Sequence, residues 1–149
     1  MLTNINTYQG FCSHIFVSRE TFEKLCIFHK TLIKWQNSIN LISKDSKKNI
    51  WERHFLDSAQ LYTFARGVNG NIFDFGSGAG FPGLVLAIMG KKNIHLVESD
   101  HKKCVFLSAE KNTTLSTVLV FISKRFWGYL IFGPIESKSS VPLPYTLAV

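Results

Sequence analysis

The sequence predicts an α/β fold in which helices cover a parallel sheet. Short apolar runs that suit buried strands alternate with longer segments that suit helices. The strands are predicted at 71–75, 94–98 and 118–122, and the helices between them at 82–89 and 100–111. A glycine-rich run directly follows the first strand. Alternation of this kind over short connections implies parallel strand pairing and right-handed crossovers.

The residues before the sheet predict helices. From Arg19 to about Ile39, apolar side chains recur at every third or fourth position, as in a helix with one buried face. This stripe consists of Phe22, Leu25, Phe28, Leu32, Trp35 and Ile39. A polar break at 45–49 contains helix-capping residues, and a second helix is predicted from Ile50 to beyond Tyr62. The glycines at 67 and 70 end it.

Length and composition indicate one domain. The chain has 149 residues, of which 46% are hydrophobic, so it can bury a sizeable core. A net charge of +7 suits a polyanionic partner, for which nucleic acid is the natural candidate. The three cysteines form no C-x-x-C pair, so we expect them to be reduced and buried, in the cytoplasm, without a metal site. Neither a secretory signal nor a membrane span is predicted.

The glycine-rich run carries most of the functional information. Four glycines occur within the eight residues 76–83, between the first strand and the following helix. Glycine accepts positive φ and lets a ligand lie against bare main chain, and a helix N-terminus offers unpaired N–H groups. The run therefore predicts a loop that cradles part of a nucleotide-like cofactor.

Two acidic residues bear on the identity of the cofactor. The glycines also satisfy the G-x-G-x-x-G pattern of NAD-binding proteins. Asp74, at the end of the first strand, would repel a pyrophosphate, whereas S-adenosylmethionine carries an ammonium and a sulfonium. Glu98 ends the second strand, 22 residues after Gly76, near the offset of a ribose-binding acid. Both cofactors contain ribose, so Asp74 alone favours the methyl donor. Alternatively, Asp74 caps the turn and Glu98 is a solvated strand end.

Four blocks of sequence resemble one known family. In order, they are N-L-I-S at 40–43, I-W-E-R-H-F-L-D-S at 50–58, F-D-F-G-S-G-A-G-F-P-G at 73–83, and V-E-S-D at 97–100 followed by K-K-C-V-F-L at 102–107. The chain resembles the bacterial 16S rRNA guanine-N7 methyltransferases, also called the glucose-inhibited division protein B family. The resemblance covers about residues 19–114, and the G-F-P-G ending is distinctive.

The resemblance implies a class I, Rossmann-like methyltransferase fold with N-terminal helices. It also implies S-adenosylmethionine as the cofactor and guanine N7 of 16S ribosomal RNA, in the small ribosomal subunit, as the acceptor. Cofactor contacts of the family correspond to Gly76 and Phe81, with Asp74, Gly78 and Glu98 around them. The R-H-F-L-D-S block supplies three catalytic candidates, Arg53, His54 and Asp57. For His54, a structural role with a hydrogen bond to Asp57 is equally compatible.

The resemblance ends near Arg125. We therefore expect a helical extension over 1–66, a partial α/β core over 67–125 and a non-matching tail over 126–149, all within one domain. A truncated or frameshifted form with an incomplete sheet explains this pattern, and it would be a monomer unless an unpaired sheet edge drives association. Reduced methylation activity is expected. The alternatives are a non-catalytic cofactor-binding or RNA-binding remnant and an NAD-dependent oxidoreductase, which Asp74 disfavours.

Overall fold

The computed structural model describes residues 4–114, 118–122 and 147–148. Six α-helices precede or connect the described strands: α1 (Tyr8–Cys12), α2 (Arg19–Gln36), α3 (Asp57–Gln60), α4 (Tyr62–Ala65), α5 (Gly83–Ile88) and α6 (His101–Thr114). The four strands are β1 (Ile72–Phe75), β2 (Ile94–Glu98), β3 (Leu119–Ile122) and β4 (Leu147–Ala148). A 3-10 turn at Ser46–Asn49 and a π-helical turn at Trp51–Leu56 complete the described elements.

Helix α2 follows its predicted stripe. Phe22, Leu25, Phe28 and Leu32 are buried, and the Ser18 side chain caps the helix by accepting the Thr21 N–H. The helix ends at Gln36, three residues before the predicted end. The Gln36 side chain accepts the N–H groups of Leu41 and Ile42 at 2.9 Å each, and donates to the Ile42 carbonyl at 3.0 Å. This clamp turns the chain and directs both apolar residues of the N-L-I-S block into the core.

The predicted second helix is not one continuous α-helix. The chain forms the π-helical turn Trp51–Leu56, then the short helices α3 and α4. Within the π-helical turn, the Trp51 and Phe55 rings stack with centroids 4.5 Å apart, and both pack against α2. Packing of these rings against α2 thus accompanies the π-helical turn, which is wider than an α-helical one. Hydrophobic periodicity alone does not distinguish a π-helix from an α-helix.

The sheet is parallel and has the order β3-β2-β1-β4. The strand predictions for β1, β2 and β3 are confirmed to within one residue. Strand β4 was not predicted, because two residues are too few to show a periodicity. It pairs with Ile72 and Phe73, on the edge of β1 that the sequence left open. The remainder of the tail lies outside the described residues.

One apolar core joins the helical extension to the sheet. Phe11, Phe28, Phe55 and Phe106 are fully buried members of the same cluster. Among the cysteines, only Cys104 is buried, so the expectation of burial is wrong for Cys12 and Cys26, although all three are free thiols. Within the described part of the chain, no helix is both long and apolar enough to cross a membrane.

Candidate cofactor site

The glycine loop joins β1 to α5, and three of its glycines adopt left-handed backbone angles. Gly76, Gly78 and Gly80 have φ values of +76°, +52° and +87°. Residues with a Cβ rarely adopt these angles, which explains the spacing of the glycines. The Gly76 N–H donates to the Val97 carbonyl of β2 at 2.8 Å. The loop therefore lies across the carboxyl ends of β1 and β2, where ligands bind in open α/β sheets.

Glu98 links the end of β2 to this loop. Its Oε2 accepts the Gly78 N–H at 2.8 Å, and its Oε1 accepts the N–H groups of Ser99 at 2.7 Å and Asp100 at 2.9 Å. The side chain is 7% exposed, so Glu98 is not a solvated strand end. Burial opposes its ionisation, but hydrogen bonds from Asp100, Gly78 and Ser99 and the charge of Lys103 lower the pKa of the carboxyl overall. Glu98 is thus a carboxylate at neutral pH.

Asp74 lies near the end of β1, in register with Leu96 of β2, and its environment differs from that of Glu98. It is 2% exposed, and its Oδ2 accepts the Gly83 N–H at 3.0 Å, at the start of α5. Burial raises the pKa of Asp74 to about 7, a hydrogen bond from Gly83 opposes the rise, and the Glu98 charge adds to it. Asp74 therefore caps the turn, as the alternative interpretation of the sequence has it.

Gly83 has a steric role that the sequence did not reveal. A Cβ at this position would lie 2.3 Å from Leu96 Cδ2 and 2.7 Å from Asp74 Oδ2. Both distances are shorter than real contacts, so only glycine allows α5 to begin this close to β1 and β2. The signal in the sequence is the last glycine of the G-F-P-G block, which the sequence assigns to the loop without a steric reason.

Phe81 connects the loop to the helical extension. Its ring stacks on His54 with centroids 4.9 Å apart, and it contacts Phe28 and Phe55 at 5.2 Å each. The family resemblance predicts that Phe81 contacts the cofactor, but the sequence does not predict this aromatic cluster. The R-H-F-L-D-S block is therefore brought against the glycine loop through His54 and Phe55.

The three catalytic candidates differ in their surroundings. Arg53 and Asp57 are exposed, and neither forms an ion pair within the described residues. The His54 Nε2 is buried without a hydrogen-bond partner in the described part of the chain. The expected hydrogen bond between His54 and Asp57 is absent there. Burial lowers the pKa of His54, Asp57 opposes this and Arg53 adds to it, so the ring is neutral at pH 7.

The loop leaves room for a ligand against its main chain. A Cβ built on Gly76 would have no heavy atom within 4 Å, in contrast to Gly80 and Gly83. Next to this open main chain stands the ionised Glu98, whose Oε2 accepts a single hydrogen bond and can accept another. Bare backbone beside an acidic acceptor suits a ribose-containing cofactor. Among the described residues, no group of three or more potential ligands could hold a metal ion.

The fold and this loop define a class of protein: an α/β domain of Rossmann-like type whose candidate site lies at the strand ends. Comparison with known families identifies the particular branch. A family model described as rRNA small subunit methyltransferase G matches residues 21–126, which is more than half of the chain. The chain belongs to this family.

Curated relatives support the same assignment. A protein named Ribosomal RNA small subunit methyltransferase G from Paramagnetospirillum magneticum is 50% identical over 109 residues, covering 73% of this chain and 53% of the relative. The protein of the same name from Rickettsia akari is 49% identical over 100 residues, covering 67% and 51%. The chain therefore spans about half the length of the curated relatives it matches.

Proposed function

We propose that this chain binds S-adenosylmethionine and, as a member of its family, methylates N7 of a guanine in 16S ribosomal RNA in the cytoplasm. The observation that carries the proposal is the hydrogen bond from Gly78 to Glu98. It joins the left-handed glycine loop to an ionised acid at the end of the neighbouring strand. The family match encloses both residues.

Each residue of the site has a defined task in this proposal. Gly76 offers main chain without a side chain above it, and Gly78 keeps the loop turned towards β2. The free lone pair of Glu98 Oε2 accepts a ribose hydroxyl. Phe81, fixed by His54 and two phenylalanines, forms an apolar wall that excludes water. The bound cofactor would supply a methyl group on a positively charged sulfur.

The acceptor chemistry makes small demands on the protein. Guanine N7 has a free lone pair and loses no proton when it attacks a methyl carbon. Alignment of the base and exclusion of water can therefore supply most of the rate. A neutral His54 at the edge of the loop is compatible with this chemistry, because no general base is required. Exposed Arg53 is available for the RNA backbone.

The first test is equilibrium binding of S-adenosylmethionine, measured by calorimetry, with NADH as a competing cofactor. We expect binding of the methyl donor and none of NADH. Gly78→Val should weaken binding about tenfold or more, because a β-branched residue at φ +52° is strained by about 1 to 3 kcal/mol. Gly67→Val is the matched control, since a Cβ at Gly67 meets nothing within 4 Å and Gly67 has no left-handed φ.

The second test is methyl transfer from labelled cofactor to unmodified small-subunit RNA, with a full-length relative as the positive control. Label at guanine N7 supports the complete proposal. Cofactor binding without transfer would leave a cofactor-binding protein and reject the catalytic part. Binding of NADH in place of S-adenosylmethionine would reject both parts.

A further inference from the structure

Asp74 has contacts that a direct cofactor ligand does not need. Its Oδ2 is engaged by the Gly83 N–H at 3.0 Å, and its main-chain carbonyl accepts the Ser77 Oγ hydroxyl at 2.8 Å. The residue is 2% exposed. One amino acid thus holds both the beginning of the glycine loop and the helix that follows it.

The approach of α5 to β1 is tight at this point. A Cβ on Gly83 would overlap Asp74 Oδ2 and Leu96 Cδ2, so the glycine and the aspartate fit each other. The loop between them spans Phe75 to Pro82. Its shape depends on where its two ends are held, and the Asp74–Gly83 hydrogen bond fixes the distance between those ends.

We propose that Asp74 is a positioning residue, whose buried carboxyl fixes the start of α5 and thereby the glycine loop, without contacting the cofactor. This inference rests on the proposed function, since it assigns a role within that site. It also replaces the argument that the charge of Asp74 selects the cofactor. Glu98 on β2 is the ionisable group that acts on Asp74 in the described part of the chain. Around the carboxyl, α5 contributes the Gly83 N–H and β2 contributes Leu96.

The two roles predict different results for two substitutions. Asp74→Asn removes the charge but retains a side-chain oxygen that can accept the Gly83 N–H. Asp74→Ala removes the acceptor as well. If Asp74 positions the loop, Asn should preserve the affinity for S-adenosylhomocysteine within about threefold, and Ala should reduce it about tenfold or more. If the carboxylate binds the ammonium group of the cofactor, both substitutions should reduce affinity to a similar extent.

A measurement without ligand separates this inference from the proposed function. Hydrogen exchange of the segment from Gly76 to Ile88 should be unchanged in Asp74→Asn and faster in Asp74→Ala. Gly83→Ala, which displaces α5 from the other side, should also accelerate exchange, whereas Gly67→Ala should not. These readouts remain valid if the native chain binds no S-adenosylhomocysteine, a result that would reject the proposed function alone.

Two outcomes would overturn the positioning role. The first is an equal loss of affinity in Asp74→Asn and Asp74→Ala while exchange of the loop stays native in both. The second is native affinity and native exchange in Asp74→Ala. Because Asn is nearly the same size as Asp, the Asn variant keeps the test valid even if the Ala variant folds poorly.

Discussion

Two acidic residues lie near the ends of neighbouring strands, Asp74 on β1 and Glu98 on β2, yet their protonation differs. The Asp74 carboxyl receives one hydrogen bond, from Gly83, and its pKa rises to about 7. Glu98 receives hydrogen bonds from Gly78, Ser99 and Asp100, and its pKa falls. Both side chains are buried.

The hydrogen-bond donors and neighbouring charges explain this difference in pKa. Burial disfavours the charged form of any carboxyl, and each N–H donor favours it. At Glu98, three donors and the charge of Lys103 outweigh burial. At Asp74, a single donor does not, and the charge of Glu98 adds to the rise. The two residues therefore have different roles. Glu98 supplies an ionised acceptor beside open main chain, and the buried Asp74 carboxyl accepts a hydrogen bond from the start of α5.

The largest expected effect comes from removing the acceptor at the end of β2. Glu98→Ala leaves the N–H groups of Gly78, Ser99 and Asp100 without their partner. We expect a loss of about 3 kcal/mol in the free energy of unfolding, since each of the three hydrogen bonds contributes about 1 kcal/mol net. Urea denaturation at pH 7 measures it.

Glu98→Gln is the matched control, because it keeps one oxygen and nearly the same size. It should lose less than Glu98→Ala. In the native chain, the lowered pKa means that the stabilisation by Glu98 is present above its ordinary pKa and is lost as the pH falls through the folded value. Equal stability of all three proteins would show that the hydrogen bonds of Glu98 do not stabilise the fold.

The second prediction concerns the end of β1 and has the opposite dependence on pH. Because the folded pKa of Asp74 is raised from 3.8 to about 7, the native state binds the proton more tightly than the unfolded chain. The stabilisation that comes from this tighter binding of the proton by Asp74 is fully present below pH 3.8 and is lost as the pH rises through about 7. Asp74→Asn removes this dependence. The difference in unfolding free energy between the native chain and Asp74→Asn should change by about 2 to 3 kcal/mol between pH 5 and pH 8.

Urea titrations of both proteins at several pH values measure this difference. The Asn variant should gain stability relative to the native chain as the pH rises. A difference that is constant from pH 5 to pH 8 would mean that Asp74 titrates near its ordinary pKa. Burial would then not raise the pKa of this carboxyl in the folded protein.

The sequence predicts the fold more completely than the roles within the site. The strand positions follow from short apolar runs and the stripe of α2 from helical periodicity, because each of these signals lies along a single element. The loop was located because Gly76, Gly78 and Gly80 need φ values that other residues avoid. Each of these features depends on residues that are close together in the chain, so the sequence alone is enough to predict it.

The features that the sequence did not predict depend on contacts between elements. The steric need for Gly83 arises from Leu96 and Asp74, on two different strands. Likewise, the stacking of His54 on Phe81 joins a helical turn to the glycine loop, 27 residues later in the chain. Protonation also depends on contacts between elements, since Asp74 and Glu98 are both acids near strand ends and differ in the hydrogen-bond donors and charges that folding brings to them.

The smallest expected effect lies between the two strand ends. Ser77 Oγ donates to the Asp74 carbonyl at 2.8 Å and lies 3.5 Å from the Val97 carbonyl, so the hydroxyl bridges β1 and β2. Ser77→Ala should reduce the free energy of unfolding by about 1 kcal/mol, the usual net value of one hydrogen bond. In a chain of this size, that corresponds to a decrease in Tm of about 2 to 4 °C by calorimetry.

Ser13→Ala is the matched control for this prediction. The Ser13 hydroxyl also donates to a carbonyl three residues earlier, that of Gly10 at 2.7 Å, but Ser13 is exposed. Water can replace that bond, so Ser13→Ala should change Tm by less than about 1 °C. If Ser77 matters because it is buried between the strand ends, its substitution must cost more than that of Ser13. Equal effects of the two substitutions would show that the hydroxyl of Ser77 is a local turn contact with no part in holding β1 to β2.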